Sequence, residues 1–221
     1  MRLLSAAEFI PARYPVALAD GEVQLWYFSP RLIPRSSAAD PRLPALLAAY
    51  AGCKTTELNF DRGAHGKPSL RPPANLQFNL SHSGGALLVA ISRDQPLGVD
   101  LEMLERRRPW LELARRFFDP AEADALARLE PARQHAAFLR LWSCKEAVLK
   151  ALGQGLSFGL ARLSFGLDGQ GRPIALNVIH ASAGPLQEWQ IVQLAPVPEA
   201  IGALAWRGPP RTLRAFAALD A

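Results

Sequence analysis

Cysteine is nearly absent: Cys53 and Cys144 are the only two in 221 residues. Two thiols cannot build a disulfide framework or complete a zinc site alone, so a reducing compartment, the cytoplasm, is expected. No apolar run nears the roughly 20 residues a membrane helix needs. The opening MRLLSAAEFI carries one arginine and an early Glu8, with too short an apolar stretch for a secretory signal. A membrane partner is therefore not expected. Low-complexity tracts and short solenoid repeats are missing as well. So are three signatures of nucleotide and ester chemistry: no GxxxxGK[ST], no GxGxxG after a strand, and no GxSxG around Ser81 or Ser83.

Lysine is scarce too, with Lys54, Lys67, Lys145 and Lys150 set against 21 arginines. A lysine is a mobile point charge where an arginine is a planar fork, so the two differ beside a phosphate. Three of the four lysines fall in the segments singled out below. The net charge of +5 is uneven: residues 1–105 balance 10 basic against 10 acidic side chains, and residues 106–221 carry 15 against 10. A basic surface suits a phosphate-bearing ligand, an acidic protein or nucleic acid, and composition cannot choose between them. A hydrophobic fraction of 49% with 20% charged residues marks an ordinary globular chain.

Residues 23–28 read as a strand, and 29–44 as a loop rich in Pro, Ser and Arg. Pro44 then opens a short helix that Gly52 ends. Residues 76–82 and 86–92 form a hairpin across Gly84-Gly85. In 97–103 the residues Leu97, Val99, Leu101 and Met103 alternate with Gly98, Asp100 and Glu102, which predicts a half-buried strand with an acidic exposed edge. From about residue 106 the pattern turns helical. Asp119-Pro120-Ala121-Glu122 has capping-box spacing, and a longer helix runs from Pro131 to Gly153. Strands return at 162–168, 174–179, 187–194 and 199–206. The fold class expected is α+β, in two halves of comparable make-up, 1–105 and 106–221.

Four segments carry chemistry. Asp100 and Glu102 point to one face of a strand, about 6–7 Å apart along the chain. Such carboxylates repel unless a cation intervenes or one is protonated, and magnesium accepts one or two carboxylates plus substrate phosphates. A lone D-x-E equally well keeps an edge strand soluble. In the second segment, Trp142, Glu146 and Lys150 at i, i+4 and i+8 share one helical face, with Lys145 and Leu149 flanking it. Gly153-Gln154-Gly155 follows and lets backbone approach a ligand. An i,i+4 Glu–Lys pair is also ordinary on any surface helix. The third segment, Asn79-Leu80-Ser81-His82-Ser83-Gly84-Gly85, offers an imidazole, hydroxyls and N–H groups to a phosphate, or simply ends a strand. The fourth, Gly66-Lys67-Pro68, is a turn with one cation.

In this order and spacing the four segments resemble the long, two-half type of 4′-phosphopantetheinyl transferase. The resemblance covers about residues 60–160 and includes Arg116-Phe117-Phe118. Gly98-Val99-Asp100-Leu101-Glu102 alone is a weak signal. Followed some 40 residues later by W-x-x-K-E-A-x-x-K-x-x-G-x-G, it becomes specific. The resemblance implies two similar α+β halves related by a pseudo-twofold axis, with coenzyme A in the cleft between them. It implies that Asp100, Glu102 and Glu146 hold Mg2+ and that Lys150 lies near the pyrophosphate. His82 would contact a phosphate, Gly66, Lys67 and Pro68 would contact coenzyme A, and Ser81 would line the same site. Asp100, Glu146 and Lys150 form the implied catalytic set. The implied activity moves phosphopantetheine from coenzyme A to a serine of an acidic acyl or peptidyl carrier protein, in a monomeric enzyme without nucleic-acid partners. The family's Arg-rich helical stretch before the Gly-Lys-Pro turn is replaced here by a short Pro-rich one, where Arg31, Arg35 and Arg42 are the candidate substitutes. A catalytically idle relative that binds coenzyme A or a carrier protein is the alternative, and a basic nucleic-acid-binding domain a remote third.

Overall fold

The computed structural model describes residues 1–30, 40–72, 76–105 and 109–219. Its strands are β1 (Arg2–Leu4), β2 (Phe9–Ala12), β3 (Glu22–Phe28), β4 (Phe60–Arg62), β5 (Pro68–Leu70), β6 (Gln77–Ser83), β7 (Ala86–Ser92), β8 (Leu97–Met103), β9 (Leu163–Leu167), β10 (Pro173–Ile179), β11 (Trp189–Leu194), β12 (Ala200–Arg207) and β13 (Thr212–Ala218). The α-helices are α1 (Arg42–Ala51), α2 (Trp110–Phe117), α3 (Pro120–Ala127) and α4 (Pro131–Leu152). The protein is α+β, as its sequence predicts. None of its described helices is long and apolar enough to cross a membrane.

Two sheets stack face to face. A five-stranded sheet runs β2-β13-β3-β7-β6, and a four-stranded one runs β1-β11-β12-β8. Alternation explains the layering. Val23, Leu25 and Tyr27 of β3, with Leu88 and Ala90 of β7, meet Val99 and Leu101 of β8 and Leu204 of β12 between the sheets. The intervening residues Trp26, Phe28, Leu87, Val89 and Ile91 face outward under Leu46 and Leu47 of α1. Both faces of β3 and β7 are thus covered, so these strands read as near-continuous apolar runs. On the far face of the four-stranded sheet, Ile201, Ala203 and Ala205 of β12 pack under Leu141, Val148 and Leu149 of α4.

Sheet membership crosses residue 105 in both directions. β8 and β1 pair with β12 and β11, whereas β13 lies parallel between β2 and β3. The short β1, β2, β4 and β5 and the Ala-rich β13 carry too little alternation to stand out in the sequence. The first helix starts at Arg42, two residues before Pro44, and Gly52 ends it in the left-handed conformation. The capping box of α3 forms as its spacing predicts: the Asp119 carboxylate accepts from the Ala121 N–H at 2.9 Å, and Glu122 accepts from the Asp119 N–H at 3.2 Å.

Candidate active site

The site lies where the edge strands of the two sheets meet. β6 and β8 form no backbone ladder. Instead the side chains at alternate positions of β6 serve the open edge of β8. Asn79 Oδ1 accepts from the Val99 N–H at 2.9 Å, and Ser83 Oγ accepts from the Met103 N–H at 3.0 Å. Between them Ser81 Oγ donates to Asp100 Oδ1 at 2.9 Å. Period-two side chains thus do the work of a third strand, which is why Asn, Ser and Ser recur at 79, 81 and 83. On the other side α4 presses on β8 at Gly98. A Cβ built at that residue would stand 2.1 Å from the Ala147 carbonyl oxygen and 2.3 Å from the Ala151 nitrogen. Only a residue without a side chain admits the helix so closely. Asp100 and Glu102, on the same face as Gly98, are thereby held against α4.

Both carboxylates are 5% exposed, which corrects the expectation of an acidic exposed edge. The edge of β8 is open to hydrogen bonding but covered by β6 and α4. Burial at this level requires partners. Asp100 Oδ1 accepts from Ser81 and from Lys150 Nζ at 2.8 Å, while Asp100 Oδ2 is buried without a hydrogen-bond partner. Glu102 accepts from Ser83 Oγ at 3.2 Å. Lys150 Nζ also reaches Ser81 Oγ and the Val99 carbonyl, both at 3.0 Å, so its three donors are all engaged. From 141 to 150 the partly exposed positions are Trp142, Glu146 and Lys150, the stripe read from the sequence. Lys145 does not flank that stripe. It is fully buried on the core side, 2.7 Å from Glu122, and donates to the Leu160 and Leu163 carbonyls. Burial pulls the Lys145 ammonium below its usual range and pushes Glu122 above the carboxylate range. Lys145 therefore fastens α4 to α3 and the segment entering β9.

An orphaned carboxylate oxygen in a buried site fits a cation. Among the described residues no three His, Cys, Asp or Glu side chains converge as a ready-made metal cluster. Magnesium does not need one, because it takes one or two carboxylates and completes its shell with phosphates and water. Cys144 offers no competing thiol chemistry, since burial pushes its thiol far up.

A cleft of about 610 Å³ opens beside this seam, and Lys150, Lys67, Gly66, Pro68 and His82 all line it. The Lys67 ammonium faces inward, donating to the Leu97 carbonyl at 2.8 Å and the Lys150 carbonyl at 2.7 Å. It ties the turn before β5 to the start of β8 and the last turn of α4. Burial lowers its pKa from 10.5 to about 8. His82 Nε2 lies 3.2 Å from Asp40 Oδ2, and Arg42 clamps Asp40 through contacts of 2.6 to 3.1 Å. Arg42 also donates to the Ser29 and Gly85 carbonyls, so its fork is spent inside the protein. Arg31 and Arg35 lie outside the described residues. Asp40 lines the cleft and escaped the sequence reading, although Asp40-Pro41 ahead of a helix is a recognisable capping pattern.

The fold and this site define a class: an α+β protein with a buried carboxylate pair, a lysine between them and a cleft, and a cation-rich cleft wall. The family profile of the 4′-phosphopantetheinyl transferase superfamily matches residues 96–201. Identity reaches 32% over 185 residues with the 4′-phosphopantetheinyl transferase HetI of Nostoc sp., covering 82% of this chain and 74% of that protein. It is 35% over 139 residues with Sfp of Bacillus subtilis, named for the same activity, covering 62% of this chain and 60% of Sfp. A Synechocystis protein, whose name gives that activity provisionally, is 41% identical over 120 residues. This chain spans 49% of the length of that relative. The chain belongs to the 4′-phosphopantetheinyl transferase superfamily.

Proposed function

We propose that the protein transfers the 4′-phosphopantetheine arm of coenzyme A to a serine of an acyl or peptidyl carrier protein, with Mg2+ required. The observation that carries this reading is Asp100 Oδ2, a buried oxygen without a hydrogen-bond partner, on a carboxylate that pairs with the cleft-lining Lys150. Asp100 and Glu146 would hold the ion, with Glu102 joining directly or through water. When bound, such an ion supplies positive charge against the pyrophosphate as its bridging bond breaks.

The chain's own residues supply the rest. The carrier serine attacks the pantetheine-side phosphorus, the bond to the bridging oxygen breaks, and adenosine 3′,5′-bisphosphate leaves. Catalysis of such transfers is mainly positioning and charge placed where it develops. Lys150, anchored at Asp100 and lining the cleft, keeps one cation beside the leaving oxygen. Glu146, one turn before it, accepts the serine proton. His82 contacts a phosphate, while Gly66, Lys67, Pro68 and Ser81 shape the coenzyme A site. The side chain of Lys67 does so indirectly, by fixing the end of α4. The two sheets, each backed by its own helix, support a reading as two α+β halves that exchange terminal strands. A cytoplasmic monomer and an acidic carrier complete the proposal.

The test is mass spectrometry of apo-carriers incubated with protein, coenzyme A and Mg2+. A gain of one phosphopantetheine, lost in Asp100→Ala and Glu146→Gln, is expected. Coenzyme A binding without transfer to several carrier types would establish the idle alternative, which the commitment of Arg42 to Asp40, Ser29 and Gly85 favours.

A further inference from the structure

The ring of His82 is set by its neighbours. Its side chain is 43% exposed at the cleft, and that of Asp40 only 4%. Burial raises the Asp40 pKa, but Arg42 outweighs it through two-pronged hydrogen bonds and holds the carboxyl below its usual range. An ionised carboxylate can only accept, so the proton between the two groups belongs to His82 Nε2. Among the described residues no hydrogen bond reaches the other ring nitrogen, Nδ1. In the neutral ring that atom is a lone pair, which repels an anion. Only the doubly protonated ring offers a donor there.

We propose that Asp40 is a positioning residue that locks His82 in its Nε2–H form, so that an anionic group enters the cleft together with one proton on Nδ1. The inference deepens the transferase reading and rests on it for the nature of the anion, a phosphate of coenzyme A. The other charged or titratable residues that line the cleft are Asp40, Arg62, His65, Lys67 and Lys150, and Arg42 clamps Asp40. Glu102, on β8, accepts from Ser83 Oγ. Of these side chains, Asp40 is the one within hydrogen-bond reach of the ring.

Two measurements test it. Nitrogen-15 NMR of histidine-labelled, ligand-free protein should find neutral His82 as the Nε2–H tautomer. Asp40→Ala should lose that preference and Asp40→Glu restore it. Calorimetry of adenosine 3′,5′-bisphosphate and inorganic pyrophosphate, in buffers of different ionisation enthalpy, should reveal net proton uptake on binding. That uptake should be absent in His82→Gln. A neutral Nδ1–H ring, equal uptake in His82→Gln, or no binding of either anion overturns the inference. Wild-type spectra and His82→Gln decide the matter even if Asp40→Ala fails to fold. Proton-linked binding without transfer to any carrier would overturn the transferase reading alone.

Discussion

Gly98→Ala adds one methyl group where β8 and α4 touch, and its consequence can be worked from distances. The new Cβ would lie 2.1 Å and 2.3 Å from two backbone atoms of α4, where ordinary contact begins at 3.4 Å. Backbone cannot rotate away as a side chain can, so the helix must withdraw by about 1 Å. Overpacking of this kind costs about 1–3 kcal/mol. Taking 2 kcal/mol, the melting temperature of a chain of this size falls by about 4–8 °C. On the proposed function the effect on rate is larger, because α4 carries Glu146 and Lys150, the proposed catalytic pair, and a shift of about 1 Å in catalytic geometry costs about 100-fold. Calorimetric melting and initial rates of carrier modification, taken well below both transitions, check the two numbers. Gly169→Ala is the control, since a Cβ there meets no atom within 4 Å. A Gly98→Ala protein with wild-type melting and rate would refute the close-approach argument. Altered melting with an unchanged rate would refute the link from helix position to catalysis.

Lys67 gives a pH signature. Its pKa falls from 10.5 to about 8 on folding, so its stabilising contribution is complete above 10.5 and is lost as pH drops toward 8. Relative to Lys67→Met, the wild type should gain about 2 kcal/mol from about pH 7.5 to about pH 9.5. The carbonyls that methionine leaves unserved add only a constant offset, so a flat difference in urea unfolding would contradict the burial of this ammonium. Lys145→Met strands the Glu122 carboxylate in the core and should cost about 3–5 kcal/mol, most of it recovered by adding Glu122→Gln. Strict additivity of the two changes in denaturant titrations would mean that the pair is not coupled.

The chemistry was legible in the sequence further than the geometry. The face shared by Trp142, Glu146 and Lys150 followed from helical spacing, because a period of 3.6 is a local property. The direction in which Lys145 points did not follow, since its partner Glu122 lies on a different helix. Alternation likewise placed Asp100 and Glu102 on one face but could not say that β6 covers it. That cover is made by Asn79, Ser81 and Ser83, which read locally as turn formers. Asp40 went unnoticed because its role is visible only once Arg42 and His82 are brought to it from either side.

The parallel insertion of β13 between β2 and β3 sets an order of assembly. Until residues 212–218 emerge from the ribosome, β3 presents a bare edge, and exposed edges invite mispairing. Both strands of the β6–β8 seam, by contrast, lie in the first 103 residues, although Lys150 and β12 complete it later. A nascent chain therefore has the seam strands early, yet must wait for α4 and β12 to secure Asp100 and for β13 before the larger sheet closes. Synthesis halted after α4 should yield an aggregation-prone intermediate rather than a smaller stable fold.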